Sequence, residues 1–259
     1  MDLKYLKHLA KSGSTFIHPK GFEATDLLIS KLNINPADNI LEIGCGTGGT
    51  LIEIINRFGI KVTAVEILDE MISAAEKKLK SLKLTDRAEI ISIKPGEKYP
   101  FENNSFNKIY AESVLGFQDK AGMEFIFSEV KRLLKPNGLF IINDALWKPA
   151  VPDNIVNKIT AQAYKDFGLA HASPSNIDLD GMIYIAGNCG LKETETVNLD
   201  SALMAGNGTL SEFKNKSAQS ENKFSIINFA NSLKFKFKLK KHSGSGNYVT
   251  SYLISFAPF

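Results

Sequence analysis

The segment Glu42-Ile43-Gly44-Cys45-Gly46-Thr47-Gly48 places a carboxylate and three glycines within one short turn. Gly44, Gly46 and Gly49 have the G-x-G-x-x-G spacing of nucleotide-binding turns. Glycine lets the backbone bend sharply there and approach a ligand with no Cβ in the way. That spacing alone leaves two ligands open: a nicotinamide dinucleotide, or a sulfonium cofactor with an amino-acid head. Glu42 favours the second. It lies inside the expected strand, where a dinucleotide site has an apolar residue, and a carboxylate there suits cationic head groups. The strand also follows a long segment containing a helix, whereas dinucleotide domains more often begin at the strand. Glu66 stands about 20 residues past the turn, the spacing at which an acid takes the two ribose hydroxyls in paired hydrogen bonds.

Other residues have the right types for work on an acceptor. Asp144 and Trp147 combine an acid with a large aromatic just past an expected strand. That suits a small acceptor with an apolar body and a hydroxyl or ammonium group. Asp144 is therefore expected to contact substrate or act as base. Phe117, Trp147 and Tyr164 are candidates for an apolar substrate wall, with Phe167 read as core. His8, His18, His171 and His242 show no metal-ligand spacing, and Cys45 and Cys189 form no cluster with them, so no metal is expected. Cys45 is read as packing under the turn.

The elements that must position these groups are legible from periodicity. Ala24, Leu27, Leu28 and Leu32 mark a helix over 20–33. Asn39–Ile43 is the first strand, Leu51–Phe58 a helix and Lys61–Val65 the second strand. Leu68, Met71, Ile72, Ala75, Leu79 and Leu82 form one face of a helix, with acids in its first turn and lysines near its end, as the helix dipole favours. Ala88–Ile93 and Lys108–Ala111 are strands three and four. Met123, Ile126, Phe127, Val130, Leu133 and Leu134 face inward from a helix that ends before the turn Pro136-Asn137-Gly138, and Leu139–Ile142 is strand five. Helices over 153–167 and 178–188, a strand over 191–197, a polar surface excursion over 203–222, an alternating strand over 233–240 and a closing strand over 248–256 follow. Strands alternating with helices imply a parallel sheet covered on both faces, with ligands at the carboxyl ends of its strands.

The chain has 259 residues, 44% of them hydrophobic and 23% charged, enough for one large α/β domain with additions. Its net charge of +3, with no basic block interleaved with aromatics, argues against nucleic acid. Two distant cysteines favour a reducing, cytoplasmic setting, and neither a signal peptide nor a membrane-spanning stretch is read.

These segments, with Val65-Glu66, Tyr99-Pro100-Phe101-Glu102-Asn103-Asn104-Ser105-Phe106, Ala111-Glu112-Ser113-Val114-Leu115 and Arg132-Leu133-Leu134-Lys135-Pro136-Asn137-Gly138, resemble the class I S-adenosylmethionine-dependent methyltransferases. Glu112-Ser113 followed by Asp119-Lys120 is similar to the branch holding sterol and tocopherol C-methyltransferases and sugar O-methyltransferases. The resemblance covers 38–145 well. It implies a doubly wound, mostly parallel seven-stranded α/β sheet with its last strand antiparallel and a cap inserted after strand five. It implies S-adenosylmethionine as cofactor, held by Glu42, Gly44, Cys45, Gly46, Gly48, Glu66, Ile67, Met71, Gly96, Glu97, Ala111 and Glu112. It departs at Pro95, where relatives carry an adenine-binding acid, and at Leu115 and Gly116, where the branch has histidines. An arm ahead of the first strand is implied to close over the cofactor, delivering His18 or Lys20; His171 lies in the expected lid. Asp144, His18 and Glu112 are thus the catalytic candidates, and Phe117, Trp147, Tyr164 and His171 the substrate ones. The expected units are an arm (1–37), a cofactor core (38–145), a cap (146–190) and closing strands with an insertion (191–259). The implied activity is O- or C-methylation of a small-molecule acceptor, with a homodimer as the assembly to consider. The rival readings are a non-catalytic domain retaining the cofactor pocket and a nicotinamide-dependent reductase.

Overall fold

The computed structural model describes residues 4–12, 15, 16, 18, 20–170, 172–205 and 247–259. Helices α1 (Lys4–Ser12) and α2 (Gly21–Leu32) precede β1 (Ile40–Ile43), α3 (Gly49–Phe58), β2 (Val62–Glu66), α4 (Asp69–Ser81), β3 (Ala88–Ser92), β4 (Phe106–Glu112), α5 (Lys120–Leu133) and β5 (Leu134–Trp147). Then come α6 (Asp153–Phe167), α7 (Leu179–Asn188), β6 (Leu191–Asn198), α8 (Leu199–Ala205) and β7 (Val249–Pro258). The seven strands lie in the order β3-β2-β1-β4-β5-β7-β6. All pairs from β3 to β5 are parallel, and β7 runs antiparallel to both neighbours. The doubly wound sheet with an antiparallel closing strand is as the sequence implies.

Strand alternation explains the two cores. Leu41, Ile43, Ile109, Ala111, Phe140, Ile142 and Phe256 pack on one face against α5 and α7. Ile40, Tyr110, Ile141 and Leu253 pack on the other against α2 and α3. The segment 179–188, expected in the cap, thus covers the sheet: Met182, Ile185 and Ala186 of α7 are buried in the first core. Among the described residues no helix is long and apolar enough to cross a membrane.

Two expectations change. Pro136-Asn137-Gly138 does not separate helix from strand; it lies inside β5, whose pairing with β4 shifts register between Phe106 and Lys108. Strand five also runs on to Trp147 instead of ending at Ile142, because β7 supplies a ladder partner for every residue from Phe140 to Trp147. The first residues of the expected polar excursion, 203–205, are the end of helix α8. The rest of it and the strand expected over 233–240 lie outside the described residues, as does His171.

Candidate functional site

The glycine turn joins β1 to α3. Gly44, Gly46 and Gly48 all have positive φ (+73°, +52° and +77°), the region an L side chain enters only with strain. Their surroundings differ. A Cβ on Gly44 would lie 2.6 Å from Val114 Cγ2, and one on Gly48 3.1 Å from Ala75 Cβ. One on Gly46 would meet nothing within 4 Å, so this glycine faces open space. Glu66 ties the turn to the exit of β2. Its Oε2 accepts the Gly46 amide at 2.8 Å, and its Oε1 accepts those of Ile67 (2.7 Å) and Leu68 (3.1 Å). Burial raises the Glu66 pKa, and these three amides oppose the rise. Ile67, next to it, is 41% exposed.

A row of polar groups crosses the α2/α3 face of the sheet. Glu42 pairs in register with Tyr110, and Glu112 with Asn143, so alternation puts all four on that face. Glu112 is a hub. It accepts from Thr50 Oγ1 of α3 (2.6 Å), from Thr25 Oγ1 of α2 (3.2 Å) and from Asn143 Nδ2 (2.9 Å). Glu42 is more deeply buried, 4% exposed against 9%, yet its Oε2 has no hydrogen-bond partner. Its pKa is pushed up to about 8, by desolvation first and then by the charge of Glu112; the nearby Tyr110 phenol opposes this without a hydrogen bond of ordinary geometry.

The N-terminal segment brings His18 into this row. Its Nδ1 lies 3.3 Å from Glu112 Oε2 and 3.0 Å from Asn143 Nδ2, and its Nε2 lies 2.9 Å from Thr25 Oγ1. The side chain is only 6% exposed. Thr15 and Phe16 lie over the glycine turn, within 2.7 and 3.4 Å of a Cβ built on Gly49. Lys78 of α4 donates to Thr15 Oγ1 (3.3 Å) and to Thr47 Oγ1 (2.9 Å), clasping arm and turn together. Helix α1 packs on α4 through Leu6, Leu9, Ala10, Leu68 and Met71. Lys20 instead pairs with Asp200, 2.6 Å away.

Asp144 is the main correction. It lies within β5, not after it, and alternation turns it to the face opposite Asn143. Its Oδ2 accepts the Leu115 amide (3.1 Å) and its Oδ1 the Gly116 amide (3.0 Å). It therefore anchors the short 3-10 turn Leu115–Phe117. Burial raises its pKa to about 7, against the pull of those amides. Trp147 is likewise no open wall: it is fully buried, and its indole Nε1 donates to Ser173 O at 2.7 Å. It fixes the segment after β5 with Val151, Val156 and Ala172. Phe117 packs with Leu6, Ala163, Phe167 and Leu169, whereas Tyr164 is exposed. Gly96 faces open space at positive φ, but the Glu97 carboxylate folds back onto the Lys94 amide (3.0 Å). Met71 faces α1, Ala111 lies in the sheet, and Cys45 is buried with its thiol pKa raised. Thr25, Thr50, Asn143 and Lys78 were not singled out by sequence. Their only signal is a polar residue on an otherwise apolar face.

A buried carboxylate oxygen without a partner, an acid at the exit of β2 and open space beside Gly46 fit a ligand with a cationic head and a ribose. Residues 40–138 match the family described as "Methyltransferase domain". Sheet order and glycine turn are those of the Rossmann-like methyltransferase fold, and the matched domain covers its first four strands and the start of the fifth. Phosphoethanolamine N-methyltransferase 1 of Arabidopsis thaliana is 30% identical over 54% of this chain and 28% of its own. Sterol 4-C-methyltransferase strm-1 of Caenorhabditis elegans is 30% identical over 46% of this chain and 34% of its own. The chain spans about half or less of the length of these and the other first-matched curated relatives. A solved structure of Haemonchus contortus phosphoethanolamine N-methyltransferase 2 with S-adenosyl-L-methionine superposes at a TM-score of 0.70, with 19% identity, over 100% of this chain and 57% of that one.

Proposed function

We propose that this protein transfers a methyl group from S-adenosylmethionine to a small organic acceptor, at oxygen or carbon, in a cytoplasmic setting. The observation that carries this reading is the buried Glu42 Oε2, without a hydrogen-bond partner, next to a glycine turn whose Gly46 faces open space. Glu42 would serve the ammonium head, Glu66 the ribose hydroxyls and Ile67 the adenine. The cofactor supplies a methyl group activated on a sulfonium. The chain's own residues then position, exclude water and handle a proton. Thr15 and Phe16 cover the turn. His18, held between Thr25, Asn143 and Glu112, is the base proposed for an acceptor hydroxyl. A proton arriving on its ring makes an imidazolium that Glu112 stabilises across 3.3 Å. This takes over the role first expected of Asp144, which alternation turns to the opposite face of the sheet from the Glu42–Asn143 row.

The test is His18→Gln, with turnover and S-adenosylhomocysteine affinity measured side by side. The expected result is a turnover loss of roughly 10²–10⁴-fold with affinity changed far less. Equal losses in both would make His18 a structural latch of the arm. A binding domain without turnover is the second reading, favoured by the contacts that both His18 ring nitrogens already make inside the protein. It predicts tight cofactor binding and no methyl transfer to any acceptor.

A further inference from the structure

Glu42 is more than a residue that fits an ammonium group. It sits in β1 directly before the turn, 4% exposed, with Oε2 lacking a hydrogen-bond partner, and the Tyr110 hydroxyl beside it lacks one too. The groups acting on it are Tyr110 and Glu112 from β4 and Glu66 from β2. Cys45 follows in the turn, and α2 and α3 contribute the neutral hydroxyls of Thr25 and Thr50 on the far side of Glu112. None of these is a cation; His18 of the same row contacts Glu112. An ionised carboxylate is costly to bury without a counter-charge. With other carboxylates facing it, the empty site favours the neutral acid.

We propose that Glu42 is protonated in the empty site and ionises when the cofactor's ammonium enters, so that cofactor binding expels one proton to solvent. The balance is simple. The carboxylic acid O–H bond breaks and the proton leaves to buffer. The carboxylate that remains pairs with an ammonium that keeps its own three protons. Tyr110, whose pKa is raised by burial, stays a neutral phenol throughout. The inference rests on the methyltransferase reading, but it has its own measurable sign.

The experiment is calorimetric titration of the full chain with S-adenosylhomocysteine, in two buffers of unequal ionisation enthalpy at pH 7. With Glu42 titrating at about 8 in the empty site, most of it is protonated at pH 7, so the buffer dependence should report release of a proton. Affinity should rise by nearly tenfold per pH unit well below that pKa and level off above it. 5′-Methylthioadenosine, which has no amino-acid head, should bind with the same heat in both buffers. Glu42→Gln should abolish the proton release. If that variant does not fold, the contrast between the two ligands on the wild-type chain still decides. Equal heats in both buffers for S-adenosylhomocysteine would overturn the proton-release proposal alone. Absence of binding would overturn the cofactor reading beneath it as well.

Discussion

Replacing Asp144 with asparagine separates an anchoring role from a catalytic one. The wild-type carboxylate accepts two buried amides, from Leu115 and Gly116. Asparagine keeps one acceptor oxygen and turns an NH₂ group towards the other amide, which leaves one buried donor unpaired. Such a loss costs about 1–3 kcal/mol. For a chain of this size each kcal/mol lowers Tm by roughly 2–4 °C, so Asp144→Asn should melt roughly 2–12 °C lower, read by circular dichroism. Because the anchored turn carries Phe117 towards α1 and α6, acceptor KM should rise. S-adenosylhomocysteine affinity should stay close to wild type, since Asp144 faces away from the Glu42–Asn143 row. A variant that melts like wild type but turns over about 10²-fold slower would refute the anchoring argument and restore Asp144 as a base.

Glu66→Ala removes the acceptor of three backbone amides as well as the proposed ribose contact; cofactor affinity should fall by at least about 1.5–3 kcal/mol in a calorimetric titration, with a loss of Tm. Gly46→Ala and Gly48→Ala both meet strain at positive φ, about 1–2 kcal/mol, but only Gly48 also crowds Ala75. Thermal melts should therefore rank Gly48→Ala as less stable, while S-adenosylhomocysteine titrations should rank Gly46→Ala as the weaker binder. For the unliganded chain, Glu42 and Asp144 have folded pKa values of about 8 and about 7, above their ordinary 4.5 and 3.8. The native state therefore binds more protons than the unfolded one between those limits, and stability should fall as pH rises from about 4 to about 8. Urea midpoints at pH 5.5 and 8 check the sign, and a higher midpoint at pH 8 would contradict it.

The glycine turn and the acid after strand two, the half of the site proposed for the cofactor, were legible because these residues sit where local rules operate. A glycine turn after an apolar run, and an acid at the end of the next strand, are read from spacing alone. The acceptor half was not. Asp144 looked free because Asn143 and Asp144 interrupt an apolar run and so mimic a strand end. Only the ladder to β7, far away in sequence, shows that β5 continues. Trp147 looked like a wall because sequence cannot show that Ser173 O waits for its indole N–H. The partners of Glu112 come from α2, α3, β5 and the arm, and no spacing rule connects Thr25, Thr50 and Asn143. His18 was identified through the arm. Its contacts to Thr25, Asn143 and Glu112 span segments that no spacing rule connects.

Strand β5 outlasts its parallel neighbour. Beyond the pair Glu112–Asn143 its ladder partner is β7, giving an antiparallel ribbon that reaches Trp147 and Val249. Residues 148–170 and 172–178 follow this ledge, tied by the Trp147 indole to Ser173 O and by Ser173 and Ser175 to Gln118 and Lys120. Insertions or replacements there leave the register of β1, β2 and β4 unaltered. On the proposed reading, acceptor preference and cofactor chemistry can therefore diversify separately on one sheet, and grafting another segment onto the ribbon is the natural route to a new substrate.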